Sequence, residues 1–452
     1  MPAWLREETF MHDLQDAGYY TALIGKHHYL DRAGMNMDVR KDYPVVREYG
    51  FDSVFTVDDD HINLYNNDEY TQHLRDTGRF EEFRRVFEER AWECGENPFP
   101  EDDTPDGFIG VHGERFVREY EREQPFYLNL SFIGPHPPYW HPGQLQHDPD
   151  AMEEPLGMEC REYIYRGEVL YEAKSLSARE NRAHYMDKCS LIDRQISRLT
   201  RALEHRGWLD NTVIIFTSDH GDNLGDYGVW DKRFFYEQSV GVPMLIAGPG
   251  IPRQQRLNGV RLSKALVTHL DLYPTILDVA SKGEASVRAE KTGKAETTVS
   301  TGGSPSSSMA GINLGQRNRT LYRSRVGTHM TRPGRSLLGI LWDGVSSESS
   351  NRTFGCLAGA EGRFHDAVYA ELATAVMIRT AGWKLVFDPE QGGVTHLYNL
   401  TIDPREQENL AGRAGYAQTS ARLIEKLLDH RIRTTQYTHQ KEEKRFQHIR
   451  TG

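Results

Sequence analysis

The sequence predicts a doubly wound α/β fold, a mostly parallel sheet flanked by helices, followed by a smaller domain built on an antiparallel sheet. Three observations carry that prediction. Apolar runs of strand length alternate with helix-like segments through residues 1–280. Several of those runs stop abruptly at polar, ligand-type clusters, as strands do where their carboxyl ends open on a crevice. Beyond Arg319 the pattern changes to short strands at close spacing.

Taken in order, Arg6 to Ala17 reads as an amphipathic helix closed by Gly18, and Tyr20 to Ile24 as a buried strand running into Gly25-Lys26-His27-His28. From Asp31 to about Asp106 the pattern is irregular and polar, an elaboration over the sheet edge with one helix expected from Arg79 to Trp92. Within it, Asp58-Asp59-Asp60-His61 reads as a solvated acidic loop, because no apolar strand precedes it. Gly113 to Gln124 is helix-like. Pro125 to Phe132 is a second strand, buried on both faces, that ends at Pro135-His136-Pro137-Pro138. Trp140 and His141 follow as substrate-rim candidates. Asn181 to His205 carries Tyr185, Ile192, Ile196, Leu199 and Leu203 at helical spacing.

The central strand, Val213 to Phe216, also reads as buried on both faces and gives way at once to Thr217-Ser218-Asp219-His220-Gly221-Asp222. Val242 to Ala247 is another core strand. Leu266 to Ala280 forms a helix with Pro274 in its first turn. Residues 281–308 are rich in Ser, Thr, Gly, Lys and Glu and lack the apolar surface to fold alone, which marks a linker or loop. Residues 309–452 make the smaller domain, with strands near 367–372, 376–380, 384–387 and 396–399 and a helix from Ala417 to Arg431.

Composition narrows the partners. A formal net charge of −12 with no basic stripe excludes nucleic acid as the main partner. No apolar segment reaches transmembrane length. Cys94, Cys160, Cys189 and Cys356 are far apart and form no zinc-type or paired spacing. The positive charge needed for an anionic substrate must then be concentrated locally, and Lys26 and Lys232 are placed to supply it.

The polar clusters at the strand ends can converge although they are distant in the chain. Asp219 and His220 are a carboxylate and an imidazole suited to a divalent cation. Lysines and histidines around such a centre stabilise negative charge on a sulfuryl or phosphoryl oxygen, and one histidine can protonate a leaving group.

Here the residues match a family. Gly25-Lys26-His27-His28, Pro135-His136-Pro137-Pro138, Thr217 to Asp222 with Leu224-Gly225-Asp226, Gly228 to Lys232, Val242-Pro243, Gly248-Pro249-Gly250 and Leu397-Tyr398-Asn399-Leu400 resemble the sulfatases of the alkaline phosphatase superfamily. The resemblance implies an alkaline phosphatase-like fold and a sulfuric ester hydrolase acting on a small-molecule or carbohydrate sulfate ester. It implies Asp219 and His220 as ligands of calcium, and Lys26 and His28 as groups that assist the nucleophile. His136 and Lys232 would hold the ester oxygens, with His136 protonating the leaving oxygen. His27 stands where the family usually has an aromatic residue.

Sulfatases also carry, upstream of the Gly-Lys-x-His segment, a strand ending in paired aspartates. A Cys/Ser-x-Pro/Ala-x-Arg motif there yields the formylglycine nucleophile. This chain opens after that region, without a visible leader, and none of its cysteines carries the motif. The expectation is a truncated sulfatase, inactive as it stands, with any export signal lying upstream. The alternatives are a phosphonate or phosphate ester hydrolase of the same superfamily, and a silent relative that binds sulfated glycans.

Overall fold

The computed structural model describes residues 9–30, 37–59, 65–90, 94–157, 177–232, 234–249, 251, 262–281, 334–338, 340 and 364–451, with side chains described as far as Thr434. Strand β1 (Tyr20–Gly25) lies between β2 (Ser53–Thr56) and β4 (Phe126–Ser131), and both neighbours run parallel to it. In register Gly25 sits beside Thr56 on one side and Ser131 on the other, so the three carboxyl ends open together. Two further short strands, β3 (Gly95–Asn97) and β5 (Trp140–Pro142), also pair in parallel.

β2 lies inside the stretch expected to be an irregular elaboration. That stretch instead folds into α2 (Tyr43–Arg47), β2, α3 (Glu69–Asp76) and α4 (Phe80–Arg90), after α1 (Phe10–Asp16) at the start of the described chain. Its Val57, Tyr70, Leu74, Phe83, Phe87 and Phe99 join Ile24, Phe108, Ile109 and Ile133 in the largest buried cluster. Each such aromatic contributes about 1.5–3 kcal/mol on burial, so this region is core rather than ornament.

Helix α5 runs Pro105–Glu119, starting eight residues before the expected Gly113 because Thr104 caps it and Pro105 occupies its first position. It packs on α6 (Ala178–His205), which Ser177 and Glu180 start with a reciprocal capping box.

The central strand β6 (Ile214–Thr217) departs from expectation. Its described partner, β7 (Met244–Ala247), runs antiparallel to it. Neither strand is buried on both faces: Phe216 and Leu245, opposite one another in register, remain 37% and 56% exposed. β4, expected to be fully covered, is likewise half-buried along its length. Apolar runs alone do not distinguish a strand covered on two faces from one covered on a single face. The four-residue α7 (Glu237–Val240) precedes β7, and α8 (residues 272–281) holds Pro274 in its first turn.

The later part is an antiparallel sheet ordered β11-β10-β9-β8, from β8 (Ala367–Leu372), β9 (Ala375–Thr380), β10 (Trp383–Asp388) and β11 (Gly393–Asn399). Helix α9 (Ala417–Thr451) covers it through Leu423 and Leu427 and extends past the expected Arg431. The sheet is fastened to the first part by Lys384, whose ammonium pairs with Glu406 at 2.6 Å and Glu237 at 2.8 Å and donates to the Phe235 carbonyl at 2.8 Å. The expected linker, 281–308, lies outside the described residues apart from residue 281, as do Cys160 and Cys356.

Burial, reinforced by the Lys384 charge, pushes the His396 imidazole down to about 4. Its ordinary value is near 6.5, so between these two values the unfolded chain takes up a proton that the folded chain refuses. Stability should therefore be lost as pH falls from about 6.5 to about 4. His396→Gln should make the urea-midpoint profile shallower across that window, whatever its effect at pH 7.

Candidate functional site

Lys26 and His28 leave the end of β1 beyond Gly25, which has φ +105°. A Cβ there would stand 1.9 Å from the Ser131 carbonyl oxygen, so only glycine lets β1 and β4 close at this point. The Lys26 amide then donates to that same carbonyl at 3.0 Å. From the neighbouring β2 comes Asp59, 5% exposed, which the sequence reading placed in a solvated loop. That is corrected: a strand does precede it, and its carboxylate bridges Lys26 Nζ at 2.6 Å and His28 Nε2 at 3.4 Å. Burial works against its ionisation, but the hydrogen bond with His28 and the Lys26 charge outweigh it and hold the carboxyl well below the usual range.

His136 is delivered by the turn after β4. Asp106, at the start of α5, accepts from the Ile133 and Gly134 amides at 2.8 and 2.9 Å. Lys188, buried on α6, donates to the His136 and Pro138 carbonyls at 3.0 and 3.3 Å and lies 3.9 Å from Asp106. A side chain at Gly134 would strike both, with a Cβ 2.7 Å from Asp106 Oδ2 and 2.8 Å from Lys188 Cε. The His136 Nδ1 lies 2.7 Å from the Pro137 carbonyl, an acceptor, so Nδ1 carries the proton. Nε2 is thereby left to accept from Lys232 Nζ at 3.2 Å. Burial first, then the Lys26 charge, lowers the imidazole to about 4, so it is neutral at pH 7.

Lys232 arrives on a loop knotted by Asp222. One Asp222 oxygen accepts from the Leu224 and Asp231 amides at 2.9 and 3.0 Å, and the other from the Tyr139 hydroxyl at 2.6 Å. Asn223 adds two bonds to the Asp231 carbonyl. The loops bearing His136 and Lys232 are thus bound to each other.

Asp219 and His220 stand at the carboxyl end of β6, with Asp219 Oδ2 and His220 Nε2 3.6 Å apart and Asp219 71% exposed. Desolvation works against ionisation of the Asp219 carboxyl, but the charges of His220, Lys26 and Lys232 outweigh it and lower the group. As a calcium site the pair falls short. It offers two donors where that ion takes about six to eight oxygens, and no group of three or more His, Cys, Asp or Glu side chains is placed to hold a metal among the described residues.

The structure thus brings Lys26, His28, His136 and Lys232 toward one edge, with Asp59 among them. It does not bring Trp140 there. Trp140 is 5% exposed and packs with Phe87 in the main cluster, and His141 is buried against His184 at 2.7 Å, so neither is a rim residue. His27 is also buried, bonded to Thr56 and stacked on Tyr29. Asp59, Asp106 and Lys188 are neighbours of the site to which sequence reasoning gave no part in it, and Asp222 was named only within its cluster, with no role of its own. The Ser53–Thr56 strand running into three aspartates was the signal for the first, and Thr104-Pro105-Asp106 as a helix start for the second.

A sequence model of the sulfatase family matches residues 2–282. A choline-sulfatase of Rhizobium meliloti is 28% identical over 310 residues, 62% of this chain and 54% of that protein. An arylsulfatase of Clostridium perfringens is 26% identical over 304 residues, 62% of this chain and 59% of that protein. The chain therefore spans a little over half the length of these curated relatives. Among solved structures, a phosphonate monoester hydrolase of Agrobacterium radiobacter superposes with a TM-score of 0.61 at 20% identity, covering 94% of this chain and 80% of that one. One from Silicibacter pomeroyi gives 0.61 at 18%, covering 94% and 79%. At those identities the likeness establishes the fold, which is alkaline phosphatase-like.

Lys188→Met should leave Asp106 buried without its cation and cost about 3–5 kcal/mol in urea unfolding. Amide exchange should rise at residues 133–139. The double variant Asp106→Asn with Lys188→Met should recover part of the loss.

Proposed function

Since the chain belongs to the sulfatase family, we propose that its site is that of a sulfuric ester hydrolase acting on the sulfate monoester of a sugar or an aryl alcohol. The observation that carries this reading is the 3.2 Å contact between Lys232 Nζ and His136 Nε2, beside Lys26 on the same sheet edge.

Each residue has a part that its surroundings support. Lys232 attracts the anionic group and orients a sulfuryl oxygen, and Lys26 does the same from the β1 side. His136, neutral at rest with Nε2 as acceptor, gains a proton most easily when a negative charge arrives to offset Lys26 and Lys232. As an oxygen nucleophile bonds to sulfur, the S–O bond to the alcohol breaks with its electron pair going to the alcohol oxygen, and His136 gives that oxygen the proton; water supplies the remaining oxygen with which the sulfuryl group leaves as sulfate. His28, 69% exposed, shares the Asp59 carboxylate with Lys26 and would assist the nucleophile. Asp219 and His220 would contribute two donors to a divalent cation, which would supply further stabilisation of the sulfuryl charge, and no step above depends on it. The proposed division keeps 1–280 as the unit that carries these groups and 309–452 as a smaller domain.

Two measurements test the reading. Calorimetric titration with inorganic sulfate should show binding that Lys232→Ala weakens at least tenfold, since one charge-assisted contact is worth roughly 1.5–3 kcal/mol. An aryl sulfate and an aryl phosphonate offered to the protein should be distinguished in favour of the sulfate. Turnover of the phosphonate alone would move the assignment to a phosphonate ester hydrolase.

A further inference from the structure

Asp59 is a surplus negative charge in a cradle built for anions. Its two oxygens engage Lys26 and His28 from within, 2.6 and 3.4 Å away, in the bridging arrangement that two oxygens of a sulfuryl group would adopt. The pair is withdrawn from water, with the Lys26 side chain 11% and the Asp59 side chain 5% exposed, so the attraction is poorly screened. The backbone beside it is pinned: the Asp58 amide donates to Asp68 at 2.7 Å, and the Val57 amide to the Gly25 carbonyl at 3.2 Å.

We propose that Asp59 is an internal counter-anion, which competes with an incoming sulfate or sulfate monoester for Lys26 and His28 and so sets the affinity of the cradle. The inference rests on the anion-binding reading of the preceding subsection and deepens it. With Asp59 seated, an arriving anion meets Lys232 and neutral His136 but finds the Lys26 charge already matched. Binding through both lysines then requires the carboxylate to be displaced. The cost falls on every anion equally, whereas the return grows with the ligand's charge and number of oxygens. A carboxylate or chloride is therefore held more weakly than a tetrahedral sulfuryl group. A purely structural ion pair would behave differently, because its removal would lower stability without improving anion binding.

The test is the dissociation constant for inorganic sulfate, measured calorimetrically on the whole chain at constant ionic strength set with chloride. Asp59→Asn keeps an acceptor near Lys26 and removes the competing charge, and it should tighten sulfate binding about tenfold. Glu123→Gln makes the same change in net charge at the opposite, amino end of the strands and should stay within twofold of the parent. If Asp59→Asn binds sulfate no more tightly than the parent while Lys232→Ala still weakens it, the competition is refuted and the cradle stands. If Lys232→Ala binds as well as the parent, the anion does not sit in the cradle and both readings fall. Asp59→Ser, smaller and open to water at Lys26, makes the same measurement should the asparagine variant not accumulate as folded protein.

Discussion

The site depends on a buried cation that touches no substrate. Lys188 lies within the body of the protein, and a lysine in that position is tolerated only because its protons are given to the His136 and Pro138 carbonyls and its charge is answered by Asp106. Asp106 in turn spends one oxygen on two amides of the same turn. Side chains from two helices thereby hold one short peptide in place. The imidazole at its tip acquires a direction, a tautomer and a depressed basicity without any contribution from bound ligand.

This grip explains which parts of the chain could be understood without coordinates. The runs at β1, β4, β6 and β7 announced strands, and the ligand-type residues after them announced an edge where chemistry collects. Those signals are local, and they located the four strands, though not how their faces are covered. β2 escaped because four residues with alternating burial, set in a polar stretch, do not make an apolar run. With β2 went Asp59, whose meaning lies in a partner 33 positions earlier. Lys188 escaped for a related reason, since on a helix rich in charge nothing marks one lysine as internal. The antiparallel pairing of β6 with β7 was equally hidden, because strand direction resides in connections and not in composition. Trp140 misled in the opposite sense: an indole next to a histidine loop suggests a substrate wall, whereas here the ring fills the core.

The second part of the molecule is joined to the site by the same kind of bond. Lys384, on β10, reaches Glu237 and the Phe235 carbonyl just beyond Lys232, and Glu406 accepts from the Glu237 amide at 2.8 Å. Arg379 adds a contact with Glu237 at 3.0 Å. The segment that follows Lys232 is thus held between a knot at Asp222 and a charged anchor in the antiparallel sheet. Neither end of that segment is free to adjust independently of the other.

The hydrogen bond from Tyr139 to Asp222 carries a consequence for how such a protein can change over generations. It makes two segments some eighty positions apart in the gene one mechanical piece, because a phenol in one is the stopper for a carboxylate in the other. Recombination that exchanged either segment alone would strand its counterpart. New specificities should therefore be sampled by drift in residues outside the joint, or by inheriting both halves as a single cassette.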